Sequence, residues 1–415
     1  MSDEAGVLGA HAEGKVSAAG SLVGGLRLPA DKSVAHRALL FNAMAEGEAE
    51  VTVARPGEDV LSMAHVLQTL GAVESIGEGP ADFTRVRLRG GGTRKAAVLP
   101  GAGGETLDCG NAGTAMRLLI GALAGRPQSA TLTGDESLSA RPMERVAVPL
   151  RRIGARIVTE DGHAPIVVEG SRELAAVEHE LPIASAQVIG ALTLAGLAAQ
   201  GTTTITSPGP TRDHTERMLA WLGAPVRREG YVTTVEGPAG FEARTIVVPG
   251  DISGAAAWLV AGALHPEAHI VIEEVGLNPS RTGVIDVLRD MGADIKVASD
   301  GPTEWCPEPV GTIIVSGGAP LRAIDLSGDR VADVIDELPL NAMAMAAAEG
   351  TSTLSGAREL RVKESDRIAR VVEGLQAIGA RAEERDDGWV VSKGTPRAAA
   401  IRTDADHRIA MSFAI

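Results

Sequence analysis

The chain has 415 residues, 44% of them hydrophobic, so it can bury a core large enough for about two domains. A net charge of −15 and only nine aromatic residues disfavour nucleic-acid binding, and no apolar run reaches membrane-spanning length. Two cysteines without metal-ligand spacing argue against a disulfide framework, and a reducing cytoplasm is the simplest compartment. The nine histidines show no metal-ligand spacing either, so we expect no metal, and we expect no cofactor.

The chain begins with about twenty polar and Gly/Ala-rich residues that lack the basic-then-apolar layout of a signal peptide. We expect this segment to be frayed. The first predicted helix follows within Asp31–Arg37, where Ser33 is placed to cap it and Lys32 and Arg37 flank its positive end. An ordinary surface helix would also explain these residues, but basic groups at this end of a helix are slightly disfavoured unless an anion binds there.

The segment Leu107–Arg117 ends an extended run and opens a second helix, with Asn111 placed to cap it. Helix starts of this kind bind anions, because unpaired backbone N–H groups and the positive end of the dipole face the ligand. Gly113 lacks a Cβ and would let a ligand approach the main chain closely. A simple capped helix is the alternative interpretation.

Several later segments carry charged residues in small groups. Arg141 precedes Pro142, so it is expected to present its guanidinium from an extended loop. Asp336-Glu337 could supply a base or form an exposed turn. In Arg361–Arg367 we expect Lys363 and Arg367 to share a helix face, with Glu364 and Asp366 orienting them, although a solvated face is the simpler explanation. Asp404–Arg408 has the same character.

An internal repeat organises the whole chain. Five Gly-Ala pairs follow helical patterns, and their glycines lie 83, 69, 69 and 87 residues apart. Each glycine is expected to end a helix, and each pair precedes two strand-like runs around a turn, as in residues 155–170 and 380–394. The unit is therefore helix, Gly-Ala, strand, turn, strand. Copies must pack together to bury their apolar helix faces, which predicts α/β domains of several units each.

Two Pro-containing segments are candidate crossings between the domains. They are Pro29–Ser33 and Val248–Asp251, which could pair with each other. This layout gives a discontinuous lower domain, residues 1–32 plus 249–415, and an upper domain, residues 33–248, with a ligand-binding cleft between them. Five repeats leave the lower domain one short, so we expect the sixth unit to be incomplete at Ile415.

Taken together, these motifs resemble the 5-enolpyruvylshikimate-3-phosphate synthase family from about Gly24 to Phe413. The resemblance implies two inverse α/β barrels of repeated βαβαββ-type units, with helices inside and sheets outside. It rests on the following segments: Asp31–Arg37, Gly110–Arg117, Ala140–Pro142, Ser185–Gln187, Thr211–His214, Leu360–Arg367 and Asp406–Arg408.

The resemblance implies two small-molecule substrates, shikimate 3-phosphate and phosphoenolpyruvate, bound between the domains of a monomer. Shikimate 3-phosphate would be held by Lys32, Ser33, Arg37, Ser185, Ala186, Gln187, Arg212, Asp336 and Lys363. Phosphoenolpyruvate would face Lys32, Gly113, Arg141, Gln187, Arg367 and Arg408.

The implied reaction transfers the enolpyruvyl group to the 5-hydroxyl of shikimate 3-phosphate and releases phosphate, on the route to chorismate and the aromatic amino acids. We expect Asp336 to accept the hydroxyl proton, and Lys363 or Glu364 to handle the proton at C3, beside the catalytic Lys32. Arg141, Arg367 and Arg408 would hold the anions and stabilise the charge that develops as phosphate leaves.

The chain departs from the family pattern by ending seven residues after Arg408. Ser185–Gln187 and Thr211–His214 resemble the subgroup that often tolerates the inhibitor glyphosate, whereas Gly113 leaves room for that inhibitor. Two alternatives stay open. One is the related UDP-N-acetylglucosamine enolpyruvyl transferase, which would use a loop cysteine, and Cys109 is the candidate. The other is a truncated, non-catalytic protein that binds anions.

Overall fold

The computed structural model describes residues 14–79, 82–171 and 173–415. Its strands form five four-stranded sheets, and helices connect them. The predicted α/β class is confirmed. No helix in these described ranges combines the length and the apolar character that crossing a membrane requires. Of the twenty N-terminal residues expected to be frayed, 1–13 lie outside the described residues, and 14–20 are exposed and form no helix or strand.

All five sheets share one strand order and one set of strand directions, and in two of them the parallel edge strand comes from a distant part of the chain: β1 beside β14, and β13 beside β2. In the sheet β9-β10-β12-β11, Glu178–Glu180 pairs in parallel with Gly201–Thr206, and the hairpin Val226–Glu229 and Val232–Gly237 completes the sheet in antiparallel fashion. One helix joins the parallel strands and a second leads into the hairpin. This is the predicted βαβαββ unit, since parallel neighbours need a crossover while antiparallel neighbours need only a turn. The strands, numbered in chain order, are β1 Val23–Arg27, β2 Glu48–Ala54, β3 Val73–Glu78, β4 Phe83–Arg89, β5 Glu105–Asp108, β6 Ala130–Thr133, β7 Arg156–Glu160, β8 His163–Glu169, β9 Glu178–Glu180, β10 Gly201–Thr206, β11 Val226–Glu229, β12 Val232–Gly237, β13 Ile246–Val247, β14 His269–Gly276, β15 Asp294–Thr303, β16 Cys306–Ser316, β17 Asp325–Leu326, β18 Thr351–Leu354, β19 Arg381–Arg385 and β20 Gly388–Ser392.

The helices occupy the interior and the sheets the outside. Residues 34–44 of the first helix are all buried, whereas the strand Glu48–Ala54 alternates, with Val51 and Val53 buried and their neighbours partly exposed. A helix buried on every side belongs to a core, and an alternating strand covers it. The helices are α1 Lys32–Met44, α2 Glu58–Thr69, α3 Gly113–Ala124, α4 Glu136–Ser139, α5 Glu144–Arg152, α6 Ala186–Gly196, α7 His214–Trp221, α8 Ile252–Leu264, α9 Gly283–Asp290, α10 Asp329–Asp333, α11 Leu338–Ala347, α12 Arg367–Ala377 and α13 His407–Phe413, with a 3-10 helix at Arg358–Val362.

The five Gly-Ala pairs end helices as predicted. Their glycines have φ angles between +81° and +102°, in the region that L side chains rarely adopt. The chain reverses at each one and enters a hairpin. The repeat could be found from sequence because this signal is local to each unit. The five glycines are Gly71, Gly154, Gly223, Gly292 and Gly379.

Buried apolar side chains form two separate clusters. One extends from Val34 to Val248, and the other contains Leu28 and residues from Ile252 to Ile409. The chain passes between them twice, and the two passages pair: the Asp31 amide donates to the Pro249 carbonyl (2.8 Å), and the Asp251 amide to the Pro29 carbonyl (3.0 Å). We propose that the two clusters are the cores of the upper and lower domains defined above.

Three sheets surround the upper cluster and two the lower one. The last described element is α13, which packs against α11 and α12 in the lower cluster.

Candidate active site

The candidate site lies where four helix starts of the upper domain face four segments of the lower domain. The upper elements are α1, α3, α6 and α7. On the lower side, Asp336 follows α10 and Lys363 follows the 3-10 helix. Arg367 begins α12, and Arg408 lies in the first turn of α13. An ion pair between Arg212 and Asp336 joins the two sides. The two substrate sets inferred from sequence therefore face a common cleft.

At the start of α1, Asp31 rather than Ser33 caps the helix, so the predicted Ser33 cap is wrong. The Asp31 carboxylate accepts from the Val34 amide (3.0 Å), and Ser33 is the second helical residue. Lys32 Nζ donates to Asp59 on α2 (2.9 Å), a partner that the sequence did not reveal. One carboxylate fixes the direction of the lysine side chain, and the remaining N–H groups of its ammonium stay available to a ligand.

Arg37 is buried and braces the upper domain. Its Nε donates to Thr215 Oγ1 (2.8 Å) and its Nη1 to the Ser33 carbonyl (3.0 Å). Burial lowers its pKa to about 10, although nearby carboxylates, Glu216 first, oppose the shift. Arg37 therefore remains charged at neutral pH and adds positive potential beneath the start of α1.

At the start of α3, Asn111 does not cap the helix, contrary to the prediction. Its Nδ2 donates to Asp135 (2.8 Å) and its Oδ1 accepts from Arg141 Nη2 (2.7 Å), while the cap position falls on Ala112. Asn111 therefore positions Arg141 instead. Gly113 is the first helical residue, and a Cβ there would lie 3.1 Å from Arg141 Nη1. The predicted close approach to the main chain thus depends on glycine.

Three guanidinium groups gather beside Gly113: those of Arg117, Arg141 and Arg145. Arg117 Nη1 and Arg145 Nη2 both donate to Gln187 Oε1, at 2.7 and 3.3 Å. Within the described part of the chain, no carboxylate oxygen lies within 4.0 Å of any of the three. Burial, with the charges of Arg145 and Arg141, lowers the pKa of Arg117 to about 9. Cations crowded together with no carboxylate in direct contact form a site for an anion. We call these three residues the arginine cluster.

The start of α6 lies beside the arginine cluster. Ser185 caps the helix through its side chain, which accepts from the Val188 amide (3.5 Å). Ala186 and Gln187 form the first helical turn, and Gln187 Nε2 donates to Thr114 Oγ1 on α3 (3.1 Å). The amide of Gln187 is therefore fixed between two helix starts.

Asp336 lies on the lower side, opposite these groups. Arg212 Nη2 donates to its Oδ2 (2.5 Å), and Arg367 Nη1 lies 3.7 Å from its Oδ1. Burial would raise the pKa of Asp336, but the charges of Arg212, Arg408 and Lys363 outweigh it and hold that pKa well below its usual range. The carboxylate is ionised at neutral pH, and it is a weak base as long as these cations face it.

Lys363 and Arg367 do not share a helix face, contrary to the prediction. Lys363 ends the 3-10 helix with its Nζ on Glu359 (2.5 Å), and Arg367 opens α12 after a short non-helical stretch. Glu364 does orient Arg367, since its carboxylate accepts from Nη2 (2.5 Å), and Asp406 accepts from Nε (2.8 Å). Arg367 is thus buried and held by two carboxylates.

Arg408 enters the site from α13. Its Nη1 donates to Glu337 (3.4 Å) and its Nη2 to Ser253 (3.2 Å), and Ser253 also accepts from Arg281 (2.7 Å). Glu337 is fully buried, so Asp336-Glu337 is not an exposed turn. The two adjacent carboxylates therefore have different roles. Asp336 faces the cleft, whereas the buried Glu337 accepts a hydrogen bond from Arg408 and so orients that cation.

Sequence reasoning missed the roles of Asp59, Arg117, Arg145, Glu337 and Glu359. These residues lie in or beside helices, and nothing local distinguishes them from ordinary helical charges. The sequence carries one usable signal, and it concerns Arg117. This arginine lies one helical turn beyond Gly113 on the same helix, so it could have been assigned to the anion site expected at that helix start.

Neither cysteine provides a reactive thiolate. Cys109 and Cys306 are both buried and unpaired, and burial raises the pKa of each thiol to about 12. This removes the residue on which the nucleotide-sugar alternative depended. Among the described residues, no cluster of three or more His, Cys, Asp or Glu side chains could hold a metal.

Sequence comparison identifies the family directly. Residues 16–415 match the family model described as EPSP synthase (3-phosphoshikimate 1-carboxyvinyltransferase). The chain is 45% identical over 404 residues to the 3-phosphoshikimate 1-carboxyvinyltransferase of Gloeobacter violaceus, covering 96% of this chain and 91% of that protein. It is also 45% identical to the enzyme of the same name from Halorhodospira halophila, covering 97% and 88%.

Structural comparison agrees. The EPSP synthase of Acinetobacter baumannii superposes with a TM-score of 0.84 at 40% identity, over 96% of this chain and 89% of that one. These relationships confirm the resemblance drawn from the motifs, together with the two-domain inverse α/β fold. The chain therefore belongs to the EPSP synthase family and is an enzyme that transfers enolpyruvyl groups in the shikimate pathway.

Proposed function

We propose that the cleft binds shikimate 3-phosphate and phosphoenolpyruvate and joins them through the residues brought together above. The observation that carries this proposal is the arginine cluster, in which no guanidinium group contacts a carboxylate oxygen within 4.0 Å in the described part of the chain. The two substrates bring two phosphates and two carboxylates, so they would supply the missing negative charge. A protein of net charge −15 would then concentrate its positive charge where the anions bind.

The acceptor and donor would occupy adjoining subsites. Shikimate 3-phosphate lies between the starts of α1 and α6 and the lower-domain carboxylate. Phosphoenolpyruvate lies over the start of α3, against the arginine cluster and the cations of α12 and α13. The acceptor residues are Lys32, Ser33, Arg37, Ser185, Ala186, Gln187, Arg212, Asp336 and Lys363; the donor residues are Lys32, Gly113, Arg141, Gln187, Arg367 and Arg408, to which we add Arg117 and Arg145.

In the first step, the acceptor's 5-hydroxyl oxygen bonds to C2 of the enolpyruvyl group while C3 gains a proton. Asp336 accepts the hydroxyl proton. Without substrates, the low pKa of Asp336 makes it a poor base. Bound anions draw Arg212 and Lys363 toward themselves, which reduces the positive charge that acts on the Asp336 carboxylate. Because those charges are what lower the pKa, substrate binding raises the basicity of Asp336.

The second step expels phosphate. The C2–O bond to phosphate breaks with its electron pair, and C3 loses a proton to restore the double bond. Lys363 or Glu364 exchanges this proton, with Lys32 beside them. In the structure, Lys363 donates a hydrogen bond to Glu359, and Lys32 donates one to Asp59. Each ammonium group can redirect that hydrogen bond to a ligand. Arg141, Arg367 and Arg408 stabilise the departing phosphate.

We further propose that the enzyme works as a monomer in the cytoplasm. Both domains bury their own cores within one chain, and the residues assigned to both subsites belong to that chain. Two unpaired, buried cysteines are compatible with a reducing compartment.

Phosphate release tests the proposal. The purified chain is given phosphoenolpyruvate with either shikimate 3-phosphate or UDP-N-acetylglucosamine as the acceptor. We expect release that depends on shikimate 3-phosphate. Release with the nucleotide sugar alone would overturn the acceptor assignment. Binding of shikimate 3-phosphate without release under either condition would show a non-catalytic protein.

A further inference from the structure

Two residues of the Thr211–His214 segment have no role in the proposed reaction. Arg212 reaches into the cleft, but Asp213 and His214 turn away from it and contact the lower domain. His214 Nδ1 lies 2.8 Å from Glu308 Oε1 on β16, and the two side chains are 2% and 1% exposed. Since a carboxylate only accepts, the imidazole donates from Nδ1.

Asn278, which follows β14, completes the contact. Its Nδ2 donates to Asp213 Oδ1 (2.7 Å) and to Glu308 Oε2 (2.8 Å). Arg217 donates to Asp213 (2.8 Å) and lies 3.5 Å from Glu308. We call Asp213, His214, Asn278 and Glu308 the anchor cluster. The upper domain contributes the first two and the lower domain the others.

In the anchor cluster, neighbouring charges and hydrogen bonds stabilise the ionised form of both buried carboxylates. Burial would raise the pKa of Glu308, but the charges of His214 and Arg217 outweigh it and lower that pKa. The same competition lowers the pKa of Asp213, with burial opposed first by the hydrogen bond from Asn278. Buried carboxylates satisfied in this way define one geometry, because any other arrangement leaves a buried charge without a partner.

We propose that the anchor cluster is a positioning device for Arg212. It clamps the segment immediately after Arg212 to the lower domain, and so holds the guanidinium of an upper-domain residue against the lower-domain Asp336. This inference rests on the proposed role of Arg212 in acceptor binding. His214 acts through Arg212 and does not touch substrate.

Two matched substitutions isolate the hydrogen bond. Asparagine carries its amide nitrogen on Cγ, where histidine carries Nδ1, so His214→Asn keeps a donor toward Glu308. Glutamine places its amide one atom further, near Nε2, which has no hydrogen-bond partner among the described residues. We expect His214→Gln to raise the acceptor KM about tenfold or more, with little change in the donor KM, and His214→Asn to stay near the unmodified enzyme.

Combination with Arg212→Ala separates positioning from folding. If His214 acts through Arg212, His214→Gln adds no further rise in acceptor KM to Arg212→Ala. A smaller folded fraction would lower kcat and leave KM unchanged. An unchanged acceptor KM in His214→Gln, or equal effects of asparagine and glutamine, would overturn the inference. If Arg212→Ala itself leaves the acceptor KM unchanged, the proposed acceptor role of Arg212 fails instead.

Discussion

Two charged clusters satisfy their charge in opposite ways: the anchor cluster joins the two domains, and the arginine cluster lies within the upper domain. In the anchor cluster, Glu308 and Asp213 are each held by several donors across the interface. In the arginine cluster, Arg117 and Arg145 share Gln187 and Arg141 donates to Asn111, and none of the three has a carboxylate oxygen within 4.0 Å in the part of the chain described. Satisfied buried charge fixes a structure, whereas crowded unsatisfied charge awaits a ligand. The difference distinguishes the joint between the domains from the site they enclose.

Asp336 is the proposed base and pairs with Arg212, which the anchor cluster positions, so its substitution should have the largest effect. Asp336→Asn keeps the side chain's shape but removes the proposed base, so we expect turnover to fall by about 10²- to 10⁴-fold while acceptor binding changes much less. Steady-state rates and the acceptor Kd measure the two quantities. Asp333→Asn, three residues earlier in α10, is the matched control and should stay near the unmodified rate. Unchanged turnover in Asp336→Asn would remove this residue from the role of base.

The arginine cluster can be tested by truncating one member. Arg141→Ala removes a charged donor near the proposed donor subsite, which should weaken phosphoenolpyruvate binding by about 1.5 to 3 kcal/mol, or roughly 10- to 150-fold in KM. The loss should also shrink in high salt, because the interaction is Coulombic. Arg330→Ala, which breaks a surface pair with Asp290, serves as the control. An unchanged donor KM would show that the cluster does not contact this substrate.

Beneath the cleft, His36 offers a test based on pH. Burial, followed by the charge of Lys32, lowers its pKa to about 3. The unfolded chain binds a proton near pH 6.5 while the folded chain does not, so stability is complete above pH 6.5 and falls as the pH drops toward 3. Between pH 6.5 and 5 this contributes about 2 kcal/mol.

The variant His36→Leu removes this titration. Urea unfolding at pH 7 and pH 5 should show the unmodified protein losing about 2 kcal/mol more than the variant over that range. Equal losses would mean that the imidazole accepts a proton in the folded state. Asp59 then becomes the partner to examine, because its charge is what favours protonation of His36.

These residues also show how far sequence reasoning reaches. The repeat and its five helix ends were predictable because each depends on a glycine beside a local apolar pattern. The caps at Ser33 and Asn111 were wrong for a physical reason: neighbouring Asp31 lies in better position at one helix, and at the other Asp135 and Arg141 compete for the Asn111 amide. A sequence window contains the candidate caps but not the competitors folded against them.

The contacts of the anchor cluster could not be predicted from the sequence. His214 and Glu308 are 94 residues apart, in different repeat units, and neither is unusual in its local sequence. Arg212 was found only through the family resemblance, and the pairs that hold it in place could not be found that way. Likewise, Lys363 and Arg367 are four residues apart, which suggested one helix face, but the chain leaves the helix between them.

The smallest expected effect concerns Cys109, which lies three residues before the cap of α3. Burial, with the charge of Asp108, raises the pKa of its thiol to about 12, so almost none is thiolate at neutral pH. We expect Cys109→Ala to keep turnover within about twofold and thiol reagents to react slowly with the folded protein. Rapid inactivation by such a reagent, abolished in the variant, would place a nucleophile at the start of α3 and reopen the cysteine-dependent chemistry of the nucleotide-sugar enzyme. A helix start lined with cations would favour a thiolate if the sulfur faced it, but Cys109 is buried, so its thiol stays protonated.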